Sequence, residues 1–300
     1  GSGNTVIFNG NVSCNDLVIS RGAAELTTTG GSFTTTLSGN LTIQAGSTLE
    51  RVNATLDIAG DVQINGTWDD TDPDGGTFIA GNWIDSGTFL SGTQRVTFDG
   101  GGTSLVTTPG VSDFYDLQIT SSTTVTVSSD IDIDNSATIN GGCTLDVDGD
   151  LDVTGGSVIC SGSGRLRIGA TVTSLGTFTA GGGTVEYDSQ TTNQALEIVT
   201  YNNLEIDTGS FSATASGTYT VGGTTNVVSG TLAIGTGGDV TATGAVSVDG
   251  TLLLADGGDL RLGTSVTINS GGTFAASGTT IPTVTNDGSG DYTFTVSSGG

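Results

Sequence analysis

Asp70, Asp72 and Asp74 stand at alternate positions and are followed by Gly75. D-x-D-x-D-G is how a calcium loop of the EF-hand type opens. Alternate carboxylates converge on one hard cation, and the Gly permits the sharp turn between them. The twelfth position of such a loop holds a bidentate Glu, whereas this chain has Gly81 there. Carbonyls, water or a neighbouring segment would have to complete the shell. The three aspartates are therefore weighed as a calcium site against a solvated acidic loop. The sequence requires no cofactor, and Ca²⁺ is the one it invites.

A second acidic stretch runs through Asp130, Asp132, Asp134, Asp146, Asp148, Asp150 and Asp152. Ile131, Ile133, Leu145, Val147, Leu151 and Val153 fill the alternate positions. Successive side chains of a strand point to opposite faces, so these aspartates read as the solvated face of half-buried strands. Glycoside hydrolysis needs two carboxylates roughly 5–9.5 Å apart. With 31 acidic residues, chance alone supplies such a pair. Arg165 and Arg167 flank Leu166 and point outward, where Arg167 is expected to lie over Asp146 as an ion pair. The chain has no His, which removes Ser-His-Asp and Cys-His nucleophile pairs and most zinc sites. No catalytic residue is assigned, and the chain reads as something other than an enzyme.

Its net charge is −25, with 31 acidic residues against 6 basic ones. Phosphate recognition needs basic clusters, so nucleic acid is excluded as a partner and anionic membrane surfaces are disfavoured. No stretch approaches the roughly 20 apolar residues of a membrane span. Cys14, Cys143 and Cys160 are too few and too scattered for a disulfide framework, and the last two are out of stacking register. The chain contains no Met, so it reads as a processed or excised piece of a larger product.

The elements that must position these groups are short strands. Helix periodicity is missing; pairs of apolar residues alternate with polar ones between Gly, Asn or Asp turns. The trios Leu232/Ile234, Val240 and Val246/Val248 recur as Leu252/Leu254, Leu260 and Val266/Ile268. Leu41 and Ile43 recur as Val62 and Ile64, and Leu145 and Val147 as Leu166 and Ile168. A Gly-Thr-apolar corner keeps the same beat at Gly66, Gly87, Gly176, Gly230, Gly250 and Gly272. Three strands per 20–21 residues predict an all-β parallel β-helix, right-handed by the chirality of parallel crossovers, with about 14 turns at the usual strand spacing. The corner register places Trp68 next to Phe89.

A longer unit is superposed. Residues 5–19, 95–119 and 184–206 each carry a strand ending in an aromatic (Phe8, Phe98, Tyr187), a polar excursion, and an Asp or Asn before Leu17, Leu117 or Leu204. One solenoid domain over 1–300 is expected, with long units near 1–94, 95–183 and 184–300. The acidic insertion 69–76 and the excursions 99–113 and 188–200 become loops, often the binding side of a solenoid.

TVEYDS…YNNLEI units alternating with GTLxI…VxVxGTL turns resemble the β-helix repeats of long secreted bacterial surface proteins and adhesins. The resemblance covers most of the chain and implies an exported, elongated protein that is extracellular or at the cell surface. The expected function is structural or adhesive: a segment or subunit of a stalk, sheath or filament. It would associate with itself end to end through residues 1–10 and 281–298 and would meet a polysaccharide or another cell-surface ligand. The alternative is a polysaccharide-binding or polysaccharide-degrading β-helix. Outward Thr ladders would bind ice, but here Thr42, Asp57 and Gln63 mix in the outward positions.

Overall fold

Leu41 and Ile43 are fully buried, and Thr42 between them is half-buried. Val62, Gln63 and Ile64 repeat the pattern on the neighbouring strand, in register Leu41 to Val62 and Ile43 to Ile64. A strand of three residues has almost no stability of its own. Its inward side chains are held because the equivalent pair of the next turn continues the core above them. The computed structural model describes residues 5–27, 33–52, 54–71, 75–108, 114–279, 283–286 and 294–296. Among these there is no helix, and the pairings set out below are parallel. The strands stack as a β-solenoid of about 12 turns. That is fewer than the period predicts, because several steps exceed it, such as Leu17 to Leu41 and Val266 to Phe294. The expected end-to-end joint falls in part outside the described residues, at 1–4, 281–282, 287–293 and 297–298.

Contacts group the chain into two compact units. The first comprises 1–159 with 175–177, and the second 160–174 with 178–300. In the first unit three sheets form the sides. One side carries Ser47–Val52, Thr67–Asp69 and Thr88–Leu90. The next carries Phe33–Leu37, Ala54–Ile58, Thr77–Ile79, Arg95–Phe98 and Phe114–Ile119. The last carries Leu41–Ile43, Val62–Ile64, Trp83–Asp85 and Thr103–Thr107. Aromatics from all three meet inside. Trp68 pairs with Phe89 at 5.4 Å between ring centroids, as the corner register predicts, and stacks on Trp83 at 5.5 Å. Trp83 in turn meets Phe114 at 5.4 Å. Such pairs contribute about 0.5–1.5 kcal/mol each beyond the area they bury.

The second unit keeps the same grammar. Leu232 lies on Leu252, Val240 on Leu260 and Val246 on Val266, all as expected. The strand Asn203–Ala215 spans a corner: Leu204–Ile206 pairs with Val185–Tyr187, while Ala213–Ala215 pairs with Leu232–Ile234. The long unit is only partly equivalent. Phe98 lies beside Ile119 and Tyr187 beside Ile206, so in two copies the second strand is the first strand's neighbour. In the copy at 5–19 the strands Thr5–Asn9 and Leu17–Ile19 belong to different sheets, because too few residues separate them to close a turn.

The corners explain the glycines. A Cβ on Gly87 would lie 2.2 Å from the Gly66 carbonyl oxygen, and one on Gly250 2.6 Å from that of Gly230. Backbone stacks directly on backbone there, and a side chain does not fit.

Candidate functional site

A series of Asp and Asn side chains is bound to the backbone of the neighbouring turn. Asp16 Oδ1 accepts the Asn40 N–H at 2.8 Å, and Asn40 Oδ1 accepts that of Asp61 at 2.8 Å. Asp61 Oδ1 takes the Asn82 N–H at 2.8 Å, and Asn82 Oδ1 takes that of Leu105 at 2.8 Å. Each side chain caps an amide of the corresponding strand or of the residue just before it one turn on, as an N-cap serves a helix. Asp130 does the same for the Asp150 N–H, and Asn203 for that of Thr224. Behind the ladder run Gly39, Gly60 and Gly81, where a Cβ on Gly60 would lie 2.3 Å from Asn40 Oδ1. The Asp or Asn before each apolar pair is thus a corner fastener.

Asp70, the first residue of the calcium-loop pattern, is fully buried and ion-paired with Arg51, itself 1% exposed. Arg51 also donates to the Ala54 carbonyl, and its Nη2 donates to Gln94 Oε1 at 3.1 Å. Burial raises the Asp70 carboxyl above its ordinary range; the hydrogen bond and charge of Arg51 pull it back in part. The neighbouring Trp68 indole N–H pulls it the same way. Asp72 and Asp74 lie outside the described residues. Among the described residues no three His, Cys, Asp or Glu side chains are placed to hold a metal ion.

In the acidic stretch Ile131, Ile133, Leu145, Val147, Leu151 and Val153 are buried as alternation requires. Asp132 lies directly beside Asp152. Arg165 and Arg167 point outward and share Glu186 of the following turn, Arg167 Nε at 3.0 Å. Arg165 reaches Glu205 at 2.8 Å, and Arg167 reaches Asp188 at 2.8 Å. Burial works to lower the Arg165 guanidinium, but its bonds to Glu205 and Glu186 outweigh that and raise it. It is correspondingly unsuited to act as a base. The excursion 188–200 is seated from within. The Glu197 N–H donates to Tyr187 Oη at 2.9 Å, Tyr187 and Tyr201 hydroxyls meet at 3.0 Å, and Tyr201 donates to the Glu197 carbonyl at 2.6 Å. Burial pushes both phenols well up.

One concave place combines an exposed aromatic with polar groups of mixed kind. It lies on the outward face of the second side, with a volume of about 440 Å³, within the usual range for ligand clefts. The strand Thr77–Ile79 turns Thr77 and Ile79 fully inward and leaves Phe78 37% exposed. Along that face Asp57, Phe78, Thr97 and Gln118 are successive neighbours. Beside them Arg95 lies on Asp116. Their ion pair is loose, at 3.8 Å with Arg95 55% exposed. Asn135 Nδ2 and Ser136 Oγ fix Asp116 Oδ1 at 2.8 and 2.7 Å. Gly75 and Gly76, the end of the acidic insertion, form the rim.

Sequence reasoning passed over both features, though each left a signal. Gly-Asx-apolar recurs at Gly39, Gly60 and Gly81 with the period of a turn. Phe78 is a large aromatic at a position whose parity is outward. Comparison with protein-family models, curated proteins and solved structures gave no match.

Proposed function

We propose that this chain is an extracellular structural and adhesive β-solenoid, part of a cell-surface stalk, sheath or filament. The observation that carries the reading is the use of the polar side chains. Asp16, Asn40, Asp61 and Asn82 are committed one after another to the backbone of the next turn. The outward Arg165 and Arg167 of the second unit are tied into Glu186, Glu205 and Asp188. Groups that would be free to act in a catalyst instead hold turn on turn, which is how a repeat array gains stability from nearest-neighbour interfaces. A net charge of −25 keeps such a scaffold soluble in a crowded exterior.

Immunogold labelling of intact cells that make the protein is the direct test. Label on the outer surface is expected, together with weaker attachment after deletion of the coding segment. Label confined to the cell interior would overturn the reading. Release of new reducing ends or unsaturated products from a polysaccharide panel would replace it with the degrading alternative.

A further inference from the structure

We infer that the cleft beside Phe78 is a binding site for a neutral glycan chain. The inference deepens the adhesive reading above and rests on it. An aromatic ring at an outward strand position contributes nothing to the core, whose inward places on that strand are filled by Thr77 and Ile79. Among the described residues the rim leaves the ring partly open. Gly76 sits where a Cβ would come 3.5 Å from Phe78 Cε2, so a larger side chain there would pack against the ring. Gly75 has φ +114 and approaches the Ala54 carbonyl and Arg51, where only glycine fits.

The polar groups around the ring are of mixed kind. Gln118 offers a donor and an acceptor, and its side chain makes no hydrogen bond among the described residues. Thr97 beneath them is buried and forms the floor. Asp116 is an oriented acceptor and Arg95 an exposed donor. An occupant that satisfies all of these carries hydroxyl groups on its edges and an apolar C–H face for the ring. A pyranose has that anatomy. Its chain also repeats at a length close to the ~4.8 Å between neighbouring strands, so successive sugars meet successive turns. Charge selects a neutral chain. Arg95 is balanced by Asp116, and the protein's −25 repels uronic-acid polymers. Asp57 beside Phe78 leaves a basic peptide as the competing occupant, which an oligolysine tests.

Isothermal titration with cellohexaose, maltohexaose and xylohexaose tests this, with oligogalacturonate as the anionic comparison and an oligolysine as the basic-peptide comparison. Binding of at least one neutral hexaose is expected, with little binding of either comparison ligand. Phe78→Ala lowers the affinity about 10-fold or more, the cost of losing one buried aromatic face. Gly76→Leu, which packs against the ring and leaves Phe78 in place, does the same while circular dichroism and melting temperature stay unchanged. Gln118→Ala gives a smaller loss. Preferential binding of oligogalacturonate or oligolysine, or hexaose binding insensitive to Phe78→Ala and Gly76→Leu, overturns the site. If no hexaose binds but the protein still adheres to host or bacterial cells, the cleft inference falls and the adhesive reading stands. If labelling places the protein inside the cell while hexaose binding persists and depends on Phe78, the site stands and the adhesive reading falls.

Discussion

Arg51 and Asp70 form an ion pair with no access to water, and two opposing effects decide what it is worth. Desolvation costs several kcal/mol per ion, and mutual attraction offsets that cost only while both partners remain. Arg51→Met leaves Asp70 charged and alone, and Asp70→Leu strands the guanidinium. Each single change is expected to cost about 3–5 kcal/mol, while the double variant recovers most of the loss. Urea titration of the four proteins measures the coupling, and strictly additive costs would refute it. Part of this was legible. Ser47, Leu49 and Arg51 share inward parity, and all three are buried. Asp70 was harder, because its pattern with Asp72 and Asp74 suggested a cation while its actual partner sits on the neighbouring turn. The thiols obey burial too. All three cysteines are free, and burial pushes the Cys160 thiol up to about 12. Iodoacetamide under native conditions should therefore modify half-buried Cys14 well before Cys143 or Cys160, as peptide mass mapping would show. Equal rates would mean that the first unit opens readily around Cys143 and the second around Cys160.

At the scale of the element, single strands of three residues are too short to be autonomous, so their fasteners matter. Asn40 Oδ1 is the acceptor for the Asp61 N–H. Asn40→Ala should cost about 1 kcal/mol, the usual net worth of one such bond. Asp61→Ala should cost more, because Asp61 Oδ1 also accepts Asn82 Nδ2 at 3.0 Å. Gly60→Ala forces a Cβ into Asn40 Oδ1 and the Gly39 carbonyl, an overpacking of about 1–3 kcal/mol. Hydrogen exchange locates the damage: faster exchange at 60–64 in Asn40→Ala, with the second unit unchanged. Exchange that speeds up everywhere alike would show the ladder to be incidental. Strand identity and register were readable because apolar parity and the Gly-Thr corners repeat within one turn's length. The equivalence of 5–19 with the later long units was not. The same strand words occur there, and only the number of residues between them decides whether they stack.

For the whole molecule the dominant fact is charge, and its consequence for stability has a definite sign. Burial raises the carboxyls of Asp70, Asp85, Asp99 and Glu197 above their ordinary values, with the Asp57 charge adding at Asp99. An acid whose pKa is higher in the folded state binds more protons folded than unfolded. Stability then falls as pH rises from the unfolded value through the folded one. Self-repulsion among −25 charges acts in the same direction, because it grows as carboxylates ionise. The protein should therefore melt at a higher temperature at pH 5 than at pH 7.5 in low salt. Salt separates the two causes. At 0.1 M the Debye length is ~10 Å, which screens exposed repulsion and leaves buried groups nearly untouched. Added NaCl should narrow the gap between the two pH values without closing it. The same titration tests the calcium reading. Mg²⁺ and Ca²⁺ raise the melting temperature equally if they only screen. A Ca²⁺-specific rise that is lost in Asp72→Asn and Asp74→Asn would establish a bound ion in the acidic insertion. A melting temperature that drops on going from pH 7.5 to pH 5 would mean that paired carboxylates, and not desolvated ones, govern the fold's response to acid.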